Sequence, residues 1–236
     1  MPRGQLILIE GLDRTGKSTQ CLNLIKKFSK SKLIKFPERS TQIGKLINEY
    51  LTNPNFKLND QSAHLLFSAN RWELNDEIEK LLNDEYFVIL DRYIYSGLAY
   101  TLAKNKVDTT NDTNKDDKSK NITNSENKIN LSNLEWLLTP DKGLPKPDLT
   151  LFLTLKPEEI SKRKGFGQER YEQETFQENV RESFLKILND LILKGDDSIK
   201  IIDINNMNID TITNLLWEMI EDVGGNKLTN NPIKRI

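Results

Sequence analysis

Cysteine and histidine each occur only once in the 236 residues, as Cys21 and His64. A lone cysteine closes no disulfide within the chain, and a lone histidine leaves no pattern for histidine-based zinc or nucleophilic chemistry. An excess of either charge is missing as well. The 34 Lys and Arg residues balance 35 Asp and Glu residues to a formal −1, which provides no long-range pull toward nucleic acid or a membrane surface. Apolar runs stop well short of the roughly 18 residues a membrane span needs. "MPRGQ" enters a short apolar strand directly, so a secretory leader is not expected. What survives these exclusions is a soluble intracellular protein, cytoplasmic or also nuclear, with no nucleic-acid or membrane partner. Cys21 is expected as a small buried hydrophobe, and His64 as a structural polar residue.

Five short runs rich in Ile, Leu, Val and Phe read as strands: Leu6–Ile9, Leu33–Phe36, Phe87–Leu90, Leu149–Leu155 and Ile199–Ile204. None alternates cleanly with polar residues, as expected of strands covered on both faces. Helical periodicity fills the gaps, for instance through Cys21, Leu24, Ile25 and Phe28 from Lys17 to Phe28. It returns through Phe176, Val180, Phe184, Leu188 and Leu191 from Thr175 to Leu193. Strand–helix alternation predicts right-handed crossovers and an α/β fold of three layers, a five-stranded parallel sheet with helices on both faces. The length suits one domain over 1–236. Residues 104–130, nearly all Asn, Asp, Lys, Ser and Thr, bury too little apolar surface to offset ordering and read as an inserted surface loop. Residues 225–236 read as a polar tail.

The stretch "GLDRTGKST", from Gly11 to Thr19, follows the first strand and opens the first helix. Its Gly-x-x-x-x-Gly-Lys-Ser spacing is that of a phosphate-binding P-loop in the required strand–loop–helix setting. Backbone N–H groups of Gly11, Asp13, Arg14, Thr15, Gly16, Lys17, Ser18 and Thr19 then surround the nucleotide phosphates. Lys17 reaches the β- and γ-phosphates, and Ser18 helps hold Mg²⁺. In "FVILDRY", Asp91 ends a buried strand where a carboxylate sits near such a metal, although a helix cap is an equal reading of that position alone.

Arginines follow three strand ends: Arg14 in the loop itself, Arg39 in "KFPERS" and Arg92 in "LDRY". Ligands of open parallel sheets gather at the carboxyl ends of the strands. Three guanidiniums converging there imply a second anion facing the first, which is the arrangement phosphoryl transfer needs. Phe67 and Arg71 lie four apart and share a helix face. A ring beside a fork of donors suits a nucleobase; the alternative is a core phenylalanine and an arginine paired with an acid.

The strings "GLDRTGKSTQ", "FPERSTQIGKLI", "HLLFSANRWE", "DRYIYSGLAYT", "GLPKPDLTLFL" and "KRKGFGQERYE" stand in this order, and together they resemble the thymidylate kinase family, specifically its eukaryotic-type subgroup with an arginine in the P-loop. The resemblance implies a P-loop NTPase fold, ATP and dTMP as substrates, Mg²⁺ as cofactor, and a homodimer. It implies that Arg14, Lys17 and Arg92 are catalytic and that Arg163 flanks ATP. It further implies a dTMP pocket of Asp13, Phe36, Arg39, Phe67, Arg71, Arg92, Ser96, Gly97, Tyr100 and Tyr171. There Asp13 would meet the 3′-hydroxyl, Arg39 and Arg92 the phosphate, Phe67 and Arg71 the base, and Tyr100 would disfavour a 2′-hydroxyl. Ser18 and Asp91 would serve the metal, and residues 161–173 would form a lid over ATP. A kinase of broader deoxynucleotide range and a P-loop regulatory switch are the competing expectations.

Overall fold

The computed structural model describes residues 1–112, 133–156, 159, 170, 171 and 173–236. Arg163, most of the segment read as a lid, and the segment read as an inserted loop from residue 113 onward lie outside them. Among the described residues, β1 (Leu6–Gly11), β2 (Ser31–Lys35), β3 (Phe87–Asp91), β4 (Leu149–Thr154) and β5 (Ile199–Asp203) form one parallel sheet in the order β2-β3-β1-β4-β5. Every residue of β1, β3 and β4 is buried, which accounts for their largely apolar sequence.

Helices among the described residues include α1 (Lys17–Leu24), α2 (Gln42–Thr52), α3 (Asp60–Glu73), α4 (Asn75–Asn83), α5 (Ile94–Asp112), α6 (Leu134–Leu138), α7 (Glu174–Leu193) and α8 (Ile209–Asp222). One group pairs α1 with α8 and a second pairs α5 with α7. Cys21 and Leu24 meet the shared core from the first group, and Leu98, Phe184 and Leu188 from the second. Cys21 is buried, as its place on a helix face predicts.

Several boundaries differ from the sequence expectation. Helix α1 stops at Leu24 and tightens into a 3₁₀ turn over Ile25–Lys27, so Phe28 leaves the helix in an extended conformation and stacks on Phe87. Strand β2 begins at Ser31 and ends before Phe36, whose peptide bond to Pro37 is cis. Helix α5 runs to Asp112, into the range read as an inserted loop.

The polar C-terminal segment folds back on the domain. Arg3 and Thr229 exchange backbone hydrogen bonds of 2.8 and 2.9 Å. The buried Arg3 guanidinium donates to both oxygens of Asp148, each at 2.8 Å, and to the carbonyls of Asn231 and Pro232. Ile236 pairs with Leu144, and Arg235 grips Glu79 through both of its terminal nitrogens.

Pairing of Ile9 and Lys35 with Asp91 sets the carboxyl ends of β1, β2 and β3 side by side. The P-loop, the turn after Phe36 and the turn through Arg92 all leave the sheet at this edge.

Candidate active site

Several helices here are capped by a side chain of their own sequence. Thr41 accepts from the Gly44 N–H for α2, Asn59 from Ser62 for α3, and Asn208 from Thr211 for α8. Helix α1 differs: its N-cap is Gly16, left-handed at φ 92°, with no side-chain hydrogen bond. A side chain is strained in that conformation, and a glycine cap leaves the first-turn N–H groups for an anion. Lys17 lies folded over the loop, donating to the Leu12 carbonyl, while Thr15 Oγ donates to the same carbonyl at 3.0 Å. Burial, followed by repulsion from Arg92, lowers the Lys17 ammonium pKa to about 8, although Asp13, Asp91 and Glu10 oppose the shift. Ser18 donates to Asp91, so a hydroxyl and a carboxylate stand together at the foot of the loop.

Across from this cradle, a cavity of about 270 Å³ is lined by residues from Asp13 to Tyr171. All ten residues that the resemblance assigns to dTMP line it: Asp13, Phe36, Arg39, Phe67, Arg71, Arg92, Ser96, Gly97, Tyr100 and Tyr171. Arg14, Lys17, Ser18 and Asp91 are not in its wall; they belong to the P-loop side.

Arg92 connects the two sides. Its φ is 70° and that of Arg14 is 65°, a left-handed conformation that costs a non-glycine residue roughly 1 kcal/mol or more and is found where function fixes the backbone. The conformation of Arg92 is held by Glu10, a buried acid on β1 that accepts from the Tyr93 and Ser96 N–H groups and from Ser96 Oγ. Burial raises the pKa of Glu10 against the lowering influence of Arg92 and these donors. The Arg92 guanidinium donates to the Gly11 carbonyl, to Ser96 Oγ and to Asp13.

Asp13 is the most engaged group at the junction. Besides Arg92, its carboxylate accepts from Tyr100 at 2.8 Å and from Gln177 at 2.9 Å. Burial opposes its charge, yet Arg92 and Lys17 together with these donors outweigh burial and hold the pKa at about 2. Gln177, on α7, also accepts from the Asp13 N–H and donates to the Tyr171 carbonyl. It therefore joins the P-loop to the end of the segment read as a lid. Arg170 anchors that same end, donating to the carbonyls of Tyr50 in the last turn of α2 and of Asn53 and Phe56 beyond it.

Farther from the P-loop, Phe67 is partly buried on the cavity wall and packs with the cluster around Ile47 and Tyr50. Arg71 lines the cavity and is also ion-paired with Asp141, the acid partner that the alternative reading expects. His64 is bonded on both ring nitrogens, to Thr101 and to the Leu137 carbonyl, consistent with a structural role. Burial lowers its pKa first, and the Arg71 charge adds to that. Sequence reasoning missed Asp141, Gln177, Glu10, Lys104 and Arg170. One usable signal was present: His64, Ser68 and Arg71 form a polar stripe at helical spacing, and a buried stripe requires partners.

A protein-family model described as thymidylate kinase matches residues 9–121 and 124–215. The thymidylate kinase of Schizosaccharomyces pombe is 39% identical over 90% of this chain and 93% of its own. That of Homo sapiens is 40% identical over 81% of this chain and 80% of its own. A solved thymidylate kinase from Candida albicans, described as revealing the origin of broad substrate specificity and a novel structural element, is 59% identical. It superposes with a TM-score of 0.88 and covers 100% of this chain and 99% of its own.

Proposed function

The chain belongs to the thymidylate kinase family, and from that membership we infer that it transfers the γ-phosphate of ATP to dTMP, giving ADP and dTDP, the diphosphate precursor of dTTP. One observation carries the assignment of this activity to particular residues: the residues matching the family's dTMP pocket line a single cavity, and Asp13 and Arg92 join that cavity to the P-loop.

In this reading, ATP enters with its phosphates on the main-chain amides of the loop from Gly11 to Thr19, and Lys17 leaves the Leu12 carbonyl for the β- and γ-oxygens. The dTMP phosphate takes the Arg39 and Arg92 guanidiniums, Phe67 covers the base, and Arg71 donates to its edge. Arg92 exchanges Asp13 for the phosphate. Asp13, acceptor-only because it stays ionised, then receives the 3′-hydroxyl, so neither buried charge is left bare. The acceptor monoester has a second pKa near 6 and is already a dianion near neutrality. Its oxygen attacks the γ-phosphorus in line without a general base. Charge spreading onto the transferred group is met by Lys17 and Arg14, already oriented before the reaction. Ser18 and Asp91 fit Mg²⁺, a hard cation that takes one or two protein oxygens and leaves its other positions to water and phosphate. When bound, it would neutralise phosphate charge.

The test is coupled ADP release from Mg·ATP with dTMP, dUMP, dGMP and dCMP, alongside acceptor-free hydrolysis. The highest kcat/KM is expected for dTMP, with hydrolysis far slower. Transfer to dTMP no faster than to water would overturn the assignment. A second reading, broader deoxynucleotide specificity, is favoured by the description of the Candida albicans relative; comparable kcat/KM for dTMP and dGMP would establish it.

A further inference from the structure

The partly exposed cavity is backed by a fully buried ion pair that the transfer reaction does not require. Arg71 donates from Nε to one oxygen of Asp141 at 3.0 Å and from Nη2 to the other at 2.7 Å. Ser68 Oγ adds a third donor to Asp141 at 2.6 Å. The side-chain exposures are 3% for Arg71 and 0% for Asp141, and Asp141 does not line the cavity. Whatever Asp141 does to a substrate it therefore does through Arg71.

The pairing decides which part of the guanidinium remains available. Nε and Nη2 are committed to Asp141, and Nη1 has no hydrogen-bond partner among the described residues. A Cβ at Gly97, on the cavity wall, would lie 3.0 Å from Nη1 and 3.0 Å from Nη2. The guanidinium is thus fixed from behind by a bidentate fork and abuts bare backbone in front.

The turn carrying Asp141 is itself anchored on two sides. Trp72 Nε1 donates to the Pro140 carbonyl at 2.7 Å. At the chain's end, Ile236 donates to the Leu144 carbonyl at 3.0 Å, and Arg235 donates to the Gly143 carbonyl at 3.2 Å.

We propose that Asp141, backed by Ser68, is a positioning residue for base discrimination: it aims the free edge of Arg71 so that the pocket accepts a 4-keto pyrimidine and turns away a 4-amino one. The reason is chemical. A guanidinium offers donors only, and every pyrimidine carries an acceptor at O2. A swinging arginine can pair with some acceptor on any of them. One held in a single place reads a single position on the ring, where an amine presents hydrogens instead of lone pairs and leaves the buried donor unpaired.

This inference rests on the thymidylate kinase reading, and the test separates the two. The probes are dTMP and 5-methyl-dCMP, which share the methyl group, sugar and phosphate and differ in the keto or amino group at position 4 and in the hydrogen that N3 carries only in thymine. No transfer to dTMP by the wild-type chain would overturn the function itself and this inference with it. Given transfer, Asp141→Asn is expected to lower the ratio of kcat/KM values by about tenfold, the worth of one strong hydrogen bond. KM for dTMP should carry more of the loss than kcat. In an Arg71→Gln background the same change should move the ratio less than about twofold, because the group it aims is gone. Should Asp141→Asn fail to fold, Ser68→Ala carries the test, with an expected drop of about threefold. An unchanged ratio in the folded variant, or an equal shift with and without Arg71, overturns the proposal.

Discussion

The P-loop and the cavity facing it are built by opposite means. The loop uses consecutive residues and mostly main-chain donors: Gly16 takes the left-handed cap position, and the helix behind it carries no side-chain cap. The cavity uses side chains from residues as far apart as Asp13 and Tyr171, with several of its charges already paired, Arg92 with Asp13, Arg71 with Asp141 and Lys104 with Asp60. A main-chain site is available as soon as its backbone is correct. A site of paired side chains must exchange partners when substrate arrives, so its selectivity depends on what stands behind each charge.

The largest expected effect tests the loop. Lys17→Ala and Arg14→Ala should each lower kcat by ~10²-fold or more, the scale of one lost transition-state contact, while dTMP affinity measured by calorimetry stays within a few-fold. A matching collapse in dTMP affinity would show that the two sites cannot be treated separately. Gly97→Ala acts on the cavity side. Its methyl group would press on a guanidinium that Asp141 prevents from moving, so KM for dTMP should rise about tenfold with KM for ATP unchanged. Equal changes in both constants would break the contrast.

The smallest effect is on stability and comes from His64, a further residue of the cavity wall. His64 titrates below its ordinary value of 6.5 in the folded chain. The unfolded chain therefore binds the proton first as pH falls, and the stability present above pH 6.5 declines below it. Between pH 7.5 and 5.5 the wild-type melting temperature should fall by about 2–4 °C more than that of His64→Asn, as for roughly 1 kcal/mol in a chain of this size. An equal fall in both proteins would remove His64 from the acid sensitivity.

The same contrast explains what the sequence disclosed. All five strands and the P-loop follow from residues near one another in the chain, where periodicity and spacing are informative. The ten residues of the cavity wall were reached through the family resemblance, and Phe67 and Arg71 also through their spacing. Their supports were not reached. Asp141 lies 70 positions from Arg71, and Gln177 lies 164 from Asp13. Neither carries a local pattern, because "TPDKG" and "TFQEN" read as an ordinary turn and an ordinary stretch of helix. The end of α1 was misplaced for a related reason: Ile25 and Phe28 keep an apolar period, but Phe28 is drawn to Phe87 and Trp217 instead of continuing the helix.

The two ends of the chain also meet. Arg3 precedes the first strand, yet its buried guanidinium rests on the carbonyls of Asn231 and Pro232, more than two hundred positions away. Closing a loop of 228 positions costs more entropy than any local pairing. Seating of Arg3 against the C-terminal segment is therefore a late event in folding.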